Sequence, residues 1–164
     1  MKKLILSSVV GLALAFNVFA EGNVFNGNEL SVSLGTGYDG VNSSFSQQYD
    51  FNLEGGADYF VTKNFGLNVS VPFYAKDGFE FEEVRAGAVV RVPAGRVAPY
   101  AGANAVYNWD QARTQYLGRA GLEARLNDGW GLFGEAWYQI NSFNSSDAEH
   151  GVWSLVGGVR LVLF

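Results

Sequence analysis

From residue 29 onward the chain alternates apolar and polar side chains with a period of two, in long stretches separated by polar gaps. A period of two belongs to β-strands with two unlike faces. Such stretches are placed at 29–39, 49–61, 65–75, 80–92, 97–109, 116–126, 130–142 and 152–164, eight in all. The gaps alternate in character. Thr62-Lys63-Asn64, Pro93-Ala94-Gly95-Arg96 and Asn127-Asp128-Gly129 are tight turns, the last a hairpin signal. The gaps at 40–48, 76–79, 110–115 and 143–151 are longer. Short and long connections in turn predict an antiparallel up-and-down meander with its tight turns at one end.

The two faces differ in kind. One parity is apolar: Phe65, Leu67, Val69, Val71 and Phe73 in the third stretch, for example, or Leu155, Gly157, Val159, Leu161 and Leu163 in the last. The ionisable residues deep in the stretches share the other parity: Glu54, Asp58, Glu83, Arg85, Arg91, Arg119, Glu123, Arg125, Glu135 and Arg160. A solvated face usually contains many lysines, and this one has none. Its cations are all arginine, whose planar fork suits bidentate pairing with buried carboxylates. The charged parity therefore reads as a packed polar interior held by a salt-bridge network, and the apolar parity as the outside.

The apolar parity is also graded along its length. Tyr38, Phe51, Phe73, Tyr107, Trp109, Tyr116, Tyr138 and Trp153 lie towards the long gaps, and Tyr59, Phe65 and Trp130 towards the tight turns, with aliphatic residues between. Two aromatic girdles around an aliphatic band match a bilayer. A closed sheet is required there, because an open edge in hydrocarbon leaves unpaired amides costing several kcal/mol each. The predicted fold is all-β: an eight-stranded antiparallel up-and-down transmembrane β-barrel, a size whose interior side chains can fill.

The first residues have another origin. Lys2 and Lys3 precede an apolar run that ends at Val18-Phe19-Ala20. This reads as a secretory signal peptide over residues 1–20, cleaved after Ala20, which leaves an outer-membrane barrel domain at 21–164. Of 11 basic and 16 acidic residues the leader removes two lysines, so the mature balance is nine to 16, or −7. That disfavours nucleic acid, which needs a basic face. With no cysteine, disulfides, thiol catalysis and cysteine-based metal sites are excluded. The 21 glycines and the 13 Phe, 8 Tyr and 4 Trp, beside only three prolines, suit a β composition.

The signal peptide, Ala98-Pro99-Tyr100-Ala101-Gly102-Ala103, the stretch GRAGLEARLNDGWGLFGEAWYQ at 118–139 and the terminal stretch ending in Phe164 together resemble the small eight-stranded outer-membrane β-barrel proteins, the group of OmpX and the OmpA membrane domain. The resemblance covers the whole mature chain. It implies an outer-membrane location among lipids and lipopolysaccharide, delivery by periplasmic chaperones, and Phe164 as the signal read by the barrel-assembly machinery. One departure stands out: the parity of Phe164 reads Val162, Arg160, Gly158 and Val156, where the family has apolar residues. Either a bulge at Gly157-Gly158 changes the phase, or the signal is degenerate.

Little else reads as chemistry. His150 is the only histidine, near Ser145, Ser146 and Asp147, and some barrels resembling this one are lipid A-modifying enzymes. The deacylase pattern places a serine two residues after its histidine; here that position is Val152. Asp77, Glu80 and Glu82 are candidates for a cation or for lipopolysaccharide phosphates bridged by one, against the simpler reading of a wet loop rim. No catalytic residue, metal or cofactor is assigned. The expected role is structural or in cell-surface interaction, with a lipid A-modifying enzyme and a small-solute pore as alternatives.

Overall fold

A computed structural model describes residues 24–41, 50–75, 79–80, 83–109, 112–140 and 153–164. Its strands are β1 (Glu29–Val41), β2 (Asp50–Phe60), β3 (Phe65–Ala75), β4 (Glu83–Arg91), β5 (Val97–Asn108), β6 (Arg113–Arg125), β7 (Trp130–Ile140) and β8 (Trp153–Val162). A two-residue ladder, Phe79–Glu80, pairs with Tyr74 and Ala75 beside β4. Each strand pairs antiparallel with its neighbour in sequence, and β1 pairs with β8, which closes the sheet into an eight-stranded barrel. Every strand thereby has a partner on each side, so no edge is left open.

The connections β2–β3, β4–β5 and β6–β7 are tight and lie at one end. Chain-specific bonds shape them. Thr62 Oγ1 accepts from the Phe65 amide at 3.0 Å, and Asn127 Oδ1 accepts from the amides of Gly129 and Trp130 at 2.8 and 3.0 Å. Asp and Asn side chains favour turns through such local bonds.

The alternation expected from the sequence is visible in the burial of β7. Gly131, Phe133, Glu135 and Trp137 are buried, whereas Trp130, Leu132, Gly134 and Tyr138 are exposed. The interior is narrow, and glycines on its face let neighbouring backbones curve together. A Cβ on Gly87 would stand 2.0 Å from the Ala103 carbonyl oxygen, and one on Gly158 would stand 2.2 Å from that of Leu34. Gly134, on the outer face, has nothing within 4 Å of that position.

The structure departs from the sequence reading in three places. Strand β6 starts at Arg113 rather than 116, because the β5 ladder continues to the pair Asn108–Arg113. Ala112, at φ 48°, turns the chain within the short connection that results. Neither ladder of β8 changes register at Gly157-Gly158: Gly157 stays opposite Thr36 and Gly134, and Gly158 opposite Gly35 and Phe133. Arg160 thus keeps its inward phase, and the register shift on the β1 side lies between Tyr38 and Val41. Opposite β3, the register changes along the fourth stretch. Ser70 pairs with Arg85 and Tyr74 with Glu80, a shift of one residue between the two ladders.

Candidate functional site

The lumen contains a continuous chain of ion pairs. Glu135 Oε2 accepts from Arg119 Nη1 at 3.4 Å, and Arg119 Nη2 donates to Asp58 Oδ1 at 3.0 Å. Asp58 Oδ2 lies 2.9 Å from Arg160 Nη2, and Arg160 Nη1 donates to Glu123. Glu123 accepts in turn from Arg125 Nε, and Arg125 Nη2 donates to Glu29. Glu29 Oε1 also accepts from Arg91 Nη1 at 2.7 Å, which ends the series. Four carboxylates and four guanidiniums alternate along it, and all eight residues are buried. The charges cancel, and each inner member has an opposite charge on both sides. That arrangement answers the cost of removing ions from water, which a single buried pair rarely recovers.

A second, smaller cluster lies nearer the long connections. Arg85 Nη1 donates to Glu54 Oε2 at 3.1 Å, and its Nε donates to Glu83 Oε1 at 2.9 Å. Trp137 joins the two clusters. Its ring lies 5.1 Å from the Arg85 guanidinium carbon and 5.3 Å from that of Arg119, while its indole N–H donates to Glu135 Oε1 at 2.9 Å. The Tyr100 hydroxyl donates to the other oxygen of Glu135 at 2.8 Å. Glu135 is therefore held by an arginine, an indole and a phenol together. Asn68 Nδ2 donates to Asp58 at 3.0 Å, and Asn104 Nδ2 donates to Asn68 Oδ1 at 2.7 Å, extending the network across the lumen to β5.

The strands place these groups by parity. Asp58 and Glu54 sit two pleats apart on β2, Arg119, Glu123 and Arg125 share the inner face of β6, and Glu135 and Trp137 that of β7. Of the ten candidates, nine are buried in the lumen and Glu83 is half-buried; all ten belong to one of the two clusters. The sequence reading missed Glu29, which links Arg91 to Arg125. Its signal was present, since Glu29 has the parity of the inward Ser31 on the same strand. It also missed Tyr100 and Asn104, which share the inner face of β5 with Ala98 and Val106.

Outside the lumen the picture inverts. Leu34, Leu67, Val69, Val90, Leu132, Leu155 and Leu161 are exposed on the outer wall. Tyr107, Tyr116, Tyr138 and Trp153 are exposed towards the long connections, and Tyr59, Phe65 and Trp130 towards the tight turns. The rings of Tyr138 and Trp153 touch, with centroids 4.8 Å apart. The side chains of Tyr38 and Phe51 lie outside the described residues. Phe164 is 70 % exposed at the tight-turn end; its carbonyl accepts from the Leu30 amide at 2.8 Å. Ser145, Ser146, Asp147, His150, Asp77 and Glu82 lie outside the described residues, as does the leader. Among the described residues, no group of three His, Asp or Glu side chains could hold a metal ion.

No family model and no curated protein matches the chain. Solved structures do. The N-terminal β-barrel domain of Pseudomonas aeruginosa OprF is 18 % identical with a TM-score of 0.64, over 84 % of this chain and 99 % of that one. A designed transmembrane β-barrel is 20 % identical with a TM-score of 0.63, over 84 % of this chain and 97 % of the design. Ail, the attachment invasion locus protein of Yersinia pestis, is 18 % identical with a TM-score of 0.57, over 84 % of this chain and 99 % of its own. The fold of this chain is accordingly that of the small eight-stranded transmembrane β-barrels.

Proposed function

We propose that the chain is an integral outer-membrane barrel with a structural or cell-surface role, and that its lumen is closed to solutes by the arginine–carboxylate network. The observation that carries this reading is the inversion of faces. The wall that meets the surroundings is aliphatic between aromatic girdles, and the charges are paired inside. Water would solvate the opposite arrangement better; acyl chains require this one. The OprF and Ail barrels share the fold, and the attachment role in the name of Ail is one that long connections on such a barrel can serve.

A pore needs a continuous wet path through the lumen. Here Arg119, Arg160 and Arg125 each pair with two carboxylates, and Arg119–Asp58, Arg160–Asp58 and Arg125–Glu29 join strands that are not neighbours, so a solute would have to break several buried pairs at once. In planar bilayers the protein is expected to give no stable conductance. Regular channel openings would refute the closed lumen while leaving the membrane assignment standing. Membrane fractions should contain the chain as a heat-modifiable band, folded when unheated, and recovery of the protein in the soluble periplasm would refute the membrane assignment itself. Lipopolysaccharide incubated with the protein is expected to keep its mass. Adhesion lost on replacing 40–48 or 143–151 would assign the surface role to those connections.

A further inference from the structure

The residues just before β1 are not a free tail. The Phe25 ring is only 2 % exposed, as buried as the core of the barrel. It lies 4.8 Å from the guanidinium carbon of Arg91 and 4.8 Å from that of Arg125, under the lower end of the ion-pair chain. The Arg91 guanidinium carbon also lies over the Phe60 ring, 3.5 Å from its centroid. The backbone on either side is tied down as well. The Val24 amide donates to the Gly95 carbonyl in the β4–β5 turn at 3.4 Å. The Asn26 carbonyl accepts from Arg91 Nη2 at 2.9 Å, and the Asn26 amide donates to Glu29 at 3.4 Å. Gly27 lies so close to the β2–β3 turn that a Cβ there would be 3.3 Å from the Thr62 Cα, and Asn28 turns the chain into β1 at φ 56°. The segment thus crosses the tight-turn end from one turn to another, with an aromatic ring pointed up into the opening.

We propose that residues 24–28 are a cork: they, and not the tight turns, seal the lower mouth of the lumen, and their release exposes Glu29, Arg91 and Arg125 to water. The physical case is one of order against entropy. A segment that precedes the first strand and joins no ladder is cheap to leave mobile, and an aromatic ring on two guanidiniums is held by their attraction to its face and by its own burial. The attachments are few and separate from the strand ladders, so the segment can leave without any strand unpairing. This deepens the closed-lumen reading and rests on it: the cork covers the lower mouth of the lumen that the ion-pair chain fills.

The chain has no cysteine, so single reporters can be introduced cleanly. Ser31, on the inner face two residues above Glu29, is 0 % exposed and its hydroxyl makes no hydrogen bond to the protein. Ser31→Cys in detergent-folded protein, treated with a charged water-soluble methanethiosulfonate, is expected to react slowly. Adding Phe25→Ala should raise the rate at least tenfold, and Phe25→Leu should leave it slow. A second reporter, Ser154→Cys near the opposite mouth, should be unaffected by either change. Ala98→Cys, also 0 % exposed on the inner face beside the β4–β5 turn, replaces the lower reporter if Ser31→Cys does not give a folded band. An unchanged rate at the lower reporter on Phe25→Ala, a fast rate with Phe25 in place, or an equal rise at both mouths would each overturn the cork. The labelling uses micelles, so it is decided independently of where the cell places the barrel, and wild-type conductance tests the closed lumen separately.

Discussion

Arg160 is the member of the ion-pair chain whose loss is most informative. It is 2 % exposed, it bridges Asp58 and Glu123, and its guanidinium carbon lies 5.2 Å from the Phe133 ring and 5.6 Å from that of Tyr100. Arg160→Met keeps an apolar stem against those rings and removes the charge. One charge-assisted hydrogen bond, to Glu123, goes, worth roughly 1.5–3 kcal/mol, and with it the 2.9 Å ion pair to Asp58 Oδ2. The carboxylates are not stranded, because Asp58 keeps Arg119 and Glu123 keeps Arg125. What remains is a buried chain with four negative and three positive members, an uncompensated charge in low dielectric. Removing one partner of a buried pair costs about 3–5 kcal/mol, and that is the expected loss. The second half of the prediction is a rescue. Glu123→Gln restores neutrality, so the double variant should be more stable than the two single losses added together imply, with a coupling of roughly 1–3 kcal/mol. Equilibrium unfolding by urea from phospholipid vesicles, followed by the mobility difference between folded and unfolded bands, measures all four species. A loss below about 1 kcal/mol for Arg160→Met, or strict additivity in the double variant, would show that the arginine does not act through these carboxylates.

Three further outcomes follow from the same geometry. Val69→Arg, near the middle of the outer face of β3, should destabilise the vesicle-inserted barrel by roughly 2–4 kcal/mol, and Leu163→Arg at the tight-turn end by at most about 1 kcal/mol; equal and negligible effects would contradict a lipid-facing wall. Tyr100→Phe removes the 2.8 Å bond to Glu135 and should cost about 1.5 kcal/mol in urea unfolding, without creating conductance, since Trp137 and Arg119 still hold that carboxylate. Gly87→Ala, whose Cβ would meet the Ala103 carbonyl oxygen at 2.0 Å, should prevent or sharply slow appearance of the folded band, whereas Gly134→Ala, with open space at that position, should fold like the parent.

Alternation along the chain was enough to place eight strands, their up-and-down order, and the inward parity of Asp58, Arg119, Glu123 and Arg160. This is because a strand's two faces repeat every second residue, and a segment can be read without knowing its neighbours. The same local reading could have included Glu29 and Tyr100, which share the inward parity of their strands. What no segment contains is who meets whom. Arg125 reaches Glu29 across a sequence separation of 96, and Arg91 reaches it across 62. Those contacts exist because β1 closes on β8 in one register, which sets the level in the lumen at which each side chain arrives. Register also decided the one-residue shift opposite β3 and the early start of β6, since where a ladder ends and which residues it pairs are not written in the polar–apolar rhythm of a single segment. The seat of Phe25 was likewise beyond the sequence. It lies outside any alternating stretch, and only the assembled barrel brings Arg91, Arg125 and the turn at Gly95 around it.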